Sequence, residues 1–430
     1  MAYLLLGFLP GFDYDGGAAL SLRLMTRSVL TDRHPWTVFL IFLRLGLTAF
    51  GGPVAHLAYF RDEFVLRRQW LSDRSYADLV ALCQFLPGPA SSQVGISLGL
   101  SRCGYAGGLA AWAGFTLPSA LMLMLLALGL ESWGDIVPAG VLHGLKVAAV
   151  AVVAQAVWGM ARQLCPDRTR LTVMAAAMCM VLLLPFAWIQ VLVLALAGLF
   201  GWWRLAPALA PAPEPLPIAI GRRAGVCWLT LFFVLLLGLP LLVAGRPNHA
   251  LELVDSFFRA GSLVFGGGHV VLPLLEAEVA VPGWVGPDAF LAGYGAAQAV
   301  PGPLFTFAAF LGASMQRAPS GWLGGVICLL AIFTPSFLLV AGVLPFWDRL
   351  RRNRAVQAAL CAVNAAVVGL LLAALYDPVW TNAIHTPADF ALAVVALLAL
   401  MWWRVPPWLV VVGCALVAGL PGADAWAAFA

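Results

Sequence analysis

Polar and helix-breaking residues interrupt apolar sequence at two places in the first part of the chain. Residues 42–52 read FLRLGLTAFGG, followed by Pro53 and His56, and residues 84–89 read QFLPGP. The pattern returns as FFRAGSLVFGGG from Phe257 and as QAVPGP from Gln298. Phe, Arg, Gly, Phe, Gly and Gly recur at identical places in the first block, and Gln, Pro, Gly and Pro recur in the second. The chain is therefore two copies of one unit. A helix broken inside apolar sequence presents free backbone N–H groups and the positive end of its dipole, which bind an anion without a side-chain charge. Gly51, Gly52, Gly266 and Gly267, with Gly88 and Gly302 of the Pro-Gly-Pro breaks, would let an oxyanion approach the backbone closely. Pro89 and Pro303 suit the first turn of the helices that start there.

Side chains around these breaks fit the same chemistry. Arg44 and Arg259 occupy matched places, and an Arg in apolar sequence costs about 2.5–3.5 kcal/mol on insertion scales, so a repeated one points to a use. Their alternative role is to pair with the matched carboxylates Glu63 and Glu278 or to snorkel. His56 and His269 lie near the first breaks at non-equivalent positions and are either proton-coupling groups or hydrogen-bonded packing residues. Gln84 and Gln298 offer donor and acceptor to an oxyanion, or cap freed backbone groups. Lys146, the only lysine, has Val363 and Asn364 around the matching place of the second copy; Lys146 and Asn364 stand as coupling or ion-pair candidates. Trp202-Trp203 and Trp402-Trp403, each followed by Arg, are interfacial anchors.

The elements that must position these groups follow from composition. With 430 residues, 62% hydrophobic and 10% charged, and a mean hydropathy of +0.94, the chain is an all-α polytopic membrane protein, which excludes a soluble enzyme. The eight cysteines form no CxxC pair and read as small core residues. Metal-ligand spacing and a phosphate-binding glycine loop are absent, so no metal, cofactor or enzymatic activity is expected. The net charge of +4 implies no nucleic acid, because basic residues here report loop orientation.

Residues 1–35 read as an N-terminal extension and 36–204 as the first repeat. A Pro-rich linker and connecting helix occupy 205–250, and the second repeat is 251–430. Broken or re-entrant elements are expected at 36–70, 76–101, 256–270 and 289–316. Crossings are expected at 106–130, 138–161, 171–185, 187–203, 224–244, 321–344, 355–376, 387–403 and 406–420. The loop 61–74 holds Arg61, Arg67, Arg68 and Arg74, while its counterpart 275–288 holds Glu276, Glu278 and Asp288 and nothing basic. The next pair reverses this: 131–137 carries Glu131 and Asp135, and 348–354 carries Arg349, Arg351, Arg352 and Arg354. By the positive-inside rule the copies lie upside down to one another, two inverted repeats whose broken helices meet near the membrane midplane, as in secondary transporters.

FGGP with His56, Glu63-Phe64-Val65, Trp70-Leu71 and QFLPGP, repeated as FGGG with Glu278-Val279, Trp284 and QAVPGP, resembles the long-chain chromate ion transporters of bacteria. The likeness covers roughly residues 36–376 and departs from the first-half pattern at Gly268, where Pro53 would correspond. It implies a multi-pass carrier of the cell inner membrane that expels chromate and confers chromate resistance. The implied partners are chromate or a sulfate-like oxyanion, the lipid bilayer and a second copy in a homodimer. A sulfate carrier and a gated anion channel are the rival expectations.

Overall fold

The structure, a computed structural model, describes residues 33–133, 138–184, 189–205, 220–246, 248–265 and 268–420. Gly266 and Gly267, the extension up to residue 32 and most of the Pro-rich linker lie outside the described residues. The described chain is helical throughout and forms a multi-pass membrane protein, with five helices long and apolar enough to cross a bilayer.

The first copy opens with α1 (Pro35–Thr48), which stops before the glycine pair. Gly51, at φ +100°, caps α2 (Gly52–Arg61), and a wider π-helical turn continues it over Asp62–Arg67. That left-handed backbone suits glycine and lets the chain reverse. Phe42 of α1 packs on Phe60 and Phe64, with ring centroids 5.6 and 5.0 Å away, so α1 and α2 fold back as a hairpin. α3 (Asp73–Phe85) starts under the Ser72 cap, whose Oγ accepts from Ser75 N at 3.1 Å, and ends at Pro87-Gly88-Pro89. At 1.5 Å per residue these arms reach about half to two-thirds of a ~30 Å bilayer core.

α4 (Ala90–Trp133) looks like one long helix, yet Cys103 and Gly104 leave helical geometry. A Cβ on Gly99 would sit 2.2 Å from the Gly107 carbonyl oxygen, so its two limbs touch backbone to backbone as a tight hairpin. Small residues permit this close packing where lipid supplies no hydrophobic drive. The first limb returns to the end it came from, because the Arg102 guanidinium lies 5.0 Å over the Trp70 ring. Then come α5 (Ala139–Leu164), α6 (Arg168–Leu183), α7 (Ile189–Arg204) and the connecting α8 (Arg222–Gly245).

The second copy repeats the plan. α9 (His249–Leu263), capped by Asn248, ends before the glycine run. A 3-10 turn (Gly268–Val270), α10 (Val271–Leu275) and a π-helical turn (Glu276–Ala280) lead back. α11 (Pro287–Ala299) reaches the second Pro-Gly-Pro break, after which a 3-10 turn (Leu304–Thr306) runs into α12 (Phe307–Ala313). A Cβ on Gly312 would stand 2.3 Å from Gly324 O, repeating the glycine contact against α13 (Gly321–Val343). The short α14 (Trp347–Leu350), α15 (Arg354–Ala374) with its π-helical extension Leu375–Trp380, α16 (Pro387–Met401) and α17 (Pro407–Ala418) complete the chain.

Packing is reciprocal. α1 lies on α4 as α9 lies on α13, α5 packs against α16 and α17 of the other copy, and α15 packs against α6 and α7. Four of the expected crossings are present within three residues of their expected bounds, yet are short. Those at 171–185, 187–203, 387–403 and 406–420 are helices of 16, 16, 15 and 12 residues, short of the roughly 20 an upright crossing needs. For the last pair the cause is visible: Arg404 at φ +53° and the prolines 406–407 cut a continuous apolar run.

Candidate functional site

The chain just past the ends of α1, α3, α9 and α11 meets in the interior. Gly88 N of the first Pro-Gly-Pro break donates to Val264 O, just past the end of α9, at 2.6 Å. Gly302 N of the second donates to Ala49 O, just past the end of α1, at 3.0 Å. Each break thus satisfies a helix-end carbonyl of the other copy. Gly88 and Gly302 sit at φ +120° and +103°, where an L side chain is strained. A Cβ would also lie 2.8 Å from Ser336 Oγ at Gly88 and 2.9 Å from Ser119 Oγ at Gly302. Both serines follow a proline inside a long helix, Pro118 in α4 and Pro335 in α13.

Two cavities flank the tips. The larger, of about 350 Å³, lies between α2, α3 and the second half of α5, and its walls include Gln84, Gly88, Gln163 and Asn364. The smaller, of about 60 Å³, is walled by Gly52, Gln298, Gly302 and Leu304. Gly51, Pro53, Val152, Gln155 and His269 line both, so the cavities meet at the start of α2. A water occupies roughly 30 Å³ in the liquid, so the larger space has room for a partly hydrated tetrahedral anion. Among the described residues, no Arg, Lys, Asp or Glu lines either cavity. What faces them are helix starts at Gly52, Ala90, Gly268 and Leu304, with neutral amide and imidazole side chains. Gln298 Nε2 and Asn364 Oδ1 are buried with no protein hydrogen-bond partner. This is an environment of oriented dipoles, suited to stabilising an anion that must also leave.

The sequence candidates separate into two sets. Gly51, Gly52, Gln84, Gly88, His269, Gln298, Gly302 and Asn364 line the cavities. His56 lies behind the wall, with Nε2 3.2 Å from Ala49 O and its ring edge-on to Phe115, and so braces the α1 tip. The charged candidates stand elsewhere. Arg44 is exposed on α1 and lines neither cavity. Arg259 Nη2 donates to Asp255 Oδ2 at 2.8 Å and to Glu278 Oε2 at 3.1 Å. Glu63 accepts from Arg68 Nε at 2.6 Å and Arg67 Nη1 at 3.0 Å. Burial pushes its carboxyl up, but those two hydrogen bonds outweigh it and hold it below the usual range. Lys146 Nζ binds Asp288 Oδ1 at 2.8 Å. Gln155, Ser119, Ser336 and Tyr294 were not among the candidates. A lone Gln in KVAAVAVVAQ and the repeated Phe-Thr and Pro-Ser pairs at 115–119 and 333–336 were available signals for the first three; Tyr294 had none.

Comparison with known proteins agrees with this duplication. The family described as Chromate transporter matches residues 36–202 and 251–420, one match on each copy. A chromate transport protein of Pseudomonas aeruginosa is 30% identical over 82% of this chain and 82% of its own length. One from Cupriavidus metallidurans is 26% identical over 87% and 90%. An uncharacterised transporter of Methanocaldococcus jannaschii is 29% identical over 78% and 82%. No solved structure matches the chain.

Proposed function

The chain belongs to the chromate transporter family, and from that premise we propose that it is a secondary transporter that exports chromate across the inner membrane and so confers chromate resistance. The observation that carries this reading is the meeting of four broken-helix tips between two cavities that share a wall at Gly51, Pro53, Gln155 and His269. Chromate gives up water to enter, and helix N-termini with amide and imidazole donors replace it without a fixed cation that would trap a dianion.

Alternating access needs two cavities on opposite sides of one barrier, and inverted repeats supply them. Contacts support that inversion. At one end of the molecule Arg102 stacks on Trp70, Trp228 Nε1 donates to Tyr105 OH at 2.9 Å, and Arg351 clasps Asp78 at 2.6 and 2.7 Å. At the other end Leu128 meets Gly321, and Gly140 meets Ala418. Arginines of the loops 61–74 and 348–354 belong to the first end, which we assign to the cytoplasm. The larger cavity follows α2, α3 and the C-terminal half of α5 toward that end, as expected of an inward-facing conformer.

Purified protein in liposomes tests the reading. Saturable chromate flux that needs an imposed gradient or a counter-anion, and that sulfate competes for because it shares charge and shape, is expected. Absence of chromate flux under pH, potential and counter-anion gradients would reject it, and unsaturable, counter-anion-independent flux would make the protein a channel.

A further inference from the structure

His269 differs from Gln155, the other polar side chain of the shared wall, in having a buried side chain as its partner, whereas Gln155 Nε2 reaches only a backbone carbonyl, Leu400 O, at 3.4 Å. Its Nδ1 lies 2.9 Å from the hydroxyl oxygen of Tyr294 on α11. Tyr294 is 0% exposed, and among the described residues its hydroxyl meets no other hydrogen-bond partner. The opposite ring nitrogen faces the first copy: Nε2 is 3.9 Å from where a Cβ on Gly52 would stand, and the residue lines both cavities. Nothing at the matching place in the first copy repeats this, since Val54 follows Pro53 there and His56 turns its Nε2 to Ala49 O instead.

A buried phenol carries one hydrogen and is left unsatisfied unless it donates it. The acceptor within reach is His269 Nδ1. A neutral imidazole that accepts at Nδ1 carries its own hydrogen on Nε2. We propose that Tyr294 is a positioning residue that fixes His269 as the Nε2–H tautomer, so that the imidazole presents an uncharged N–H donor to a tetrahedral oxyanion at the barrier between the two cavities. This rests on the transport reading above and deepens it. The opposite tautomer would aim a lone pair at the anion and repel it. A neutral donor also lets the dianion depart, whereas a fixed cation at the narrowest point would hold it. Gln298 Nε2, buried without a partner in the smaller cavity, is a second neutral donor on the same route.

The test combines tautomer detection with a double-mutant cycle. Selective ¹⁵N-histidine NMR of the purified wild-type protein, with His269→Gln assigning the resonance, is expected to show Nδ1 unprotonated. Tyr294→Phe should give a mixture of tautomers. In liposomes, Tyr294→Phe is expected to raise the chromate KM about 5-fold, the size of one lost hydrogen bond, with Vmax little changed. His269→Gln places an amide N–H near the position of Nε2 and should keep most of the affinity, while His269→Asn, whose shorter amide falls near Nδ1, should lose it. Adding Tyr294→Phe to His269→Gln should change KM less than 2-fold, because Tyr294 acts through the imidazole. A wild-type Nδ1–H tautomer, equal KM values for the Asn and Gln variants, or the same Tyr294→Phe penalty in both backgrounds would overturn the proposal. If the wild-type protein carries no chromate, the transport reading fails, and the NMR measurement still decides the tautomer.

Discussion

Arg259 shows how a residue can be legible in type and misleading in use. Its repetition with Arg44 in apolar sequence pointed to an anion site, yet its guanidinium is held by Asp255 and Glu278 and lines neither cavity. Spacing within one helix cannot reveal a carboxylate on the returning arm, so only the fold shows the ion pair. Glycines were more legible, because a break requires them whatever surrounds it, and Gly51, Gly88 and Gly302 line the cavities. If Arg259 is structural, Arg259→Gln should lower stability by about 1–3 kcal/mol, the range for hydrogen bonds to charged groups. It leaves the buried carboxylate of Asp255 and the part-buried one of Glu278 without their shared cation. Adding Glu278→Gln should recover most of the loss and leave chromate flux near normal. Thermal unfolding and liposome flux on the single and double variants check this; a stable double variant without flux would return Arg259 to the anion.

At the scale of elements, the breaks and hairpins were readable and the packing that joins them was not. Pro-Gly-Pro and the glycine pairs announced interrupted helices, and the structure ends α1, α3, α9 and α11 at those points. Which limbs touch depends on glycines that look incidental in an apolar run. Gly99 meets Gly107, and Gly312 meets Gly324, each at a separation that no side chain fits. A Cβ on Gly238 of α8 would meet nothing within 4 Å. Gly99→Leu and Gly312→Leu should therefore part the hairpin limbs and cost at least the ~1–3 kcal/mol of an overpacked core, reducing the monodisperse fraction in detergent. Gly238→Leu should leave it unchanged. Size-exclusion profiles of the three variants measure this, and equal profiles would mean that the glycine contacts do not hold the hairpins. The bounds of α6, α7, α16 and α17 were legible to within three residues, because charged residues and prolines mark their ends.

For the whole molecule, the arrangement of the two copies governs how the cavities can open. Loop charges argue for inversion, and the contacts have the reciprocity of a two-fold axis: each Pro-Gly-Pro break bonds to the other copy, and each of α5 and α15 packs on the other copy's last two helices. In the proposed inverted arrangement two hairpin pairs would enter from opposite faces and meet tip to tip, with a two-fold axis in the membrane plane exchanging Ala49 with Val264 and Gly302 with Gly88. Copies in the same orientation would bring their breaks in from one face and leave the other cavity without a lining of helix starts. Single cysteines placed in a Cys-free variant at the exposed Arg67 and Arg352 should react with an impermeant reagent from the cytoplasmic side. Cysteines at Pro282 and Gly286 should react from the opposite side. The asymmetry follows from energy as well as topology: the loop at 61–74 keeps Arg61, Arg67, Arg68 and Arg74, whose translocation is resisted, while 275–288 holds carboxylates, which weigh little in orientation. Labelling at Arg67 and Pro282 from the same side would end the inverted arrangement and, with it, the assignment of the larger cavity to the cytoplasmic face.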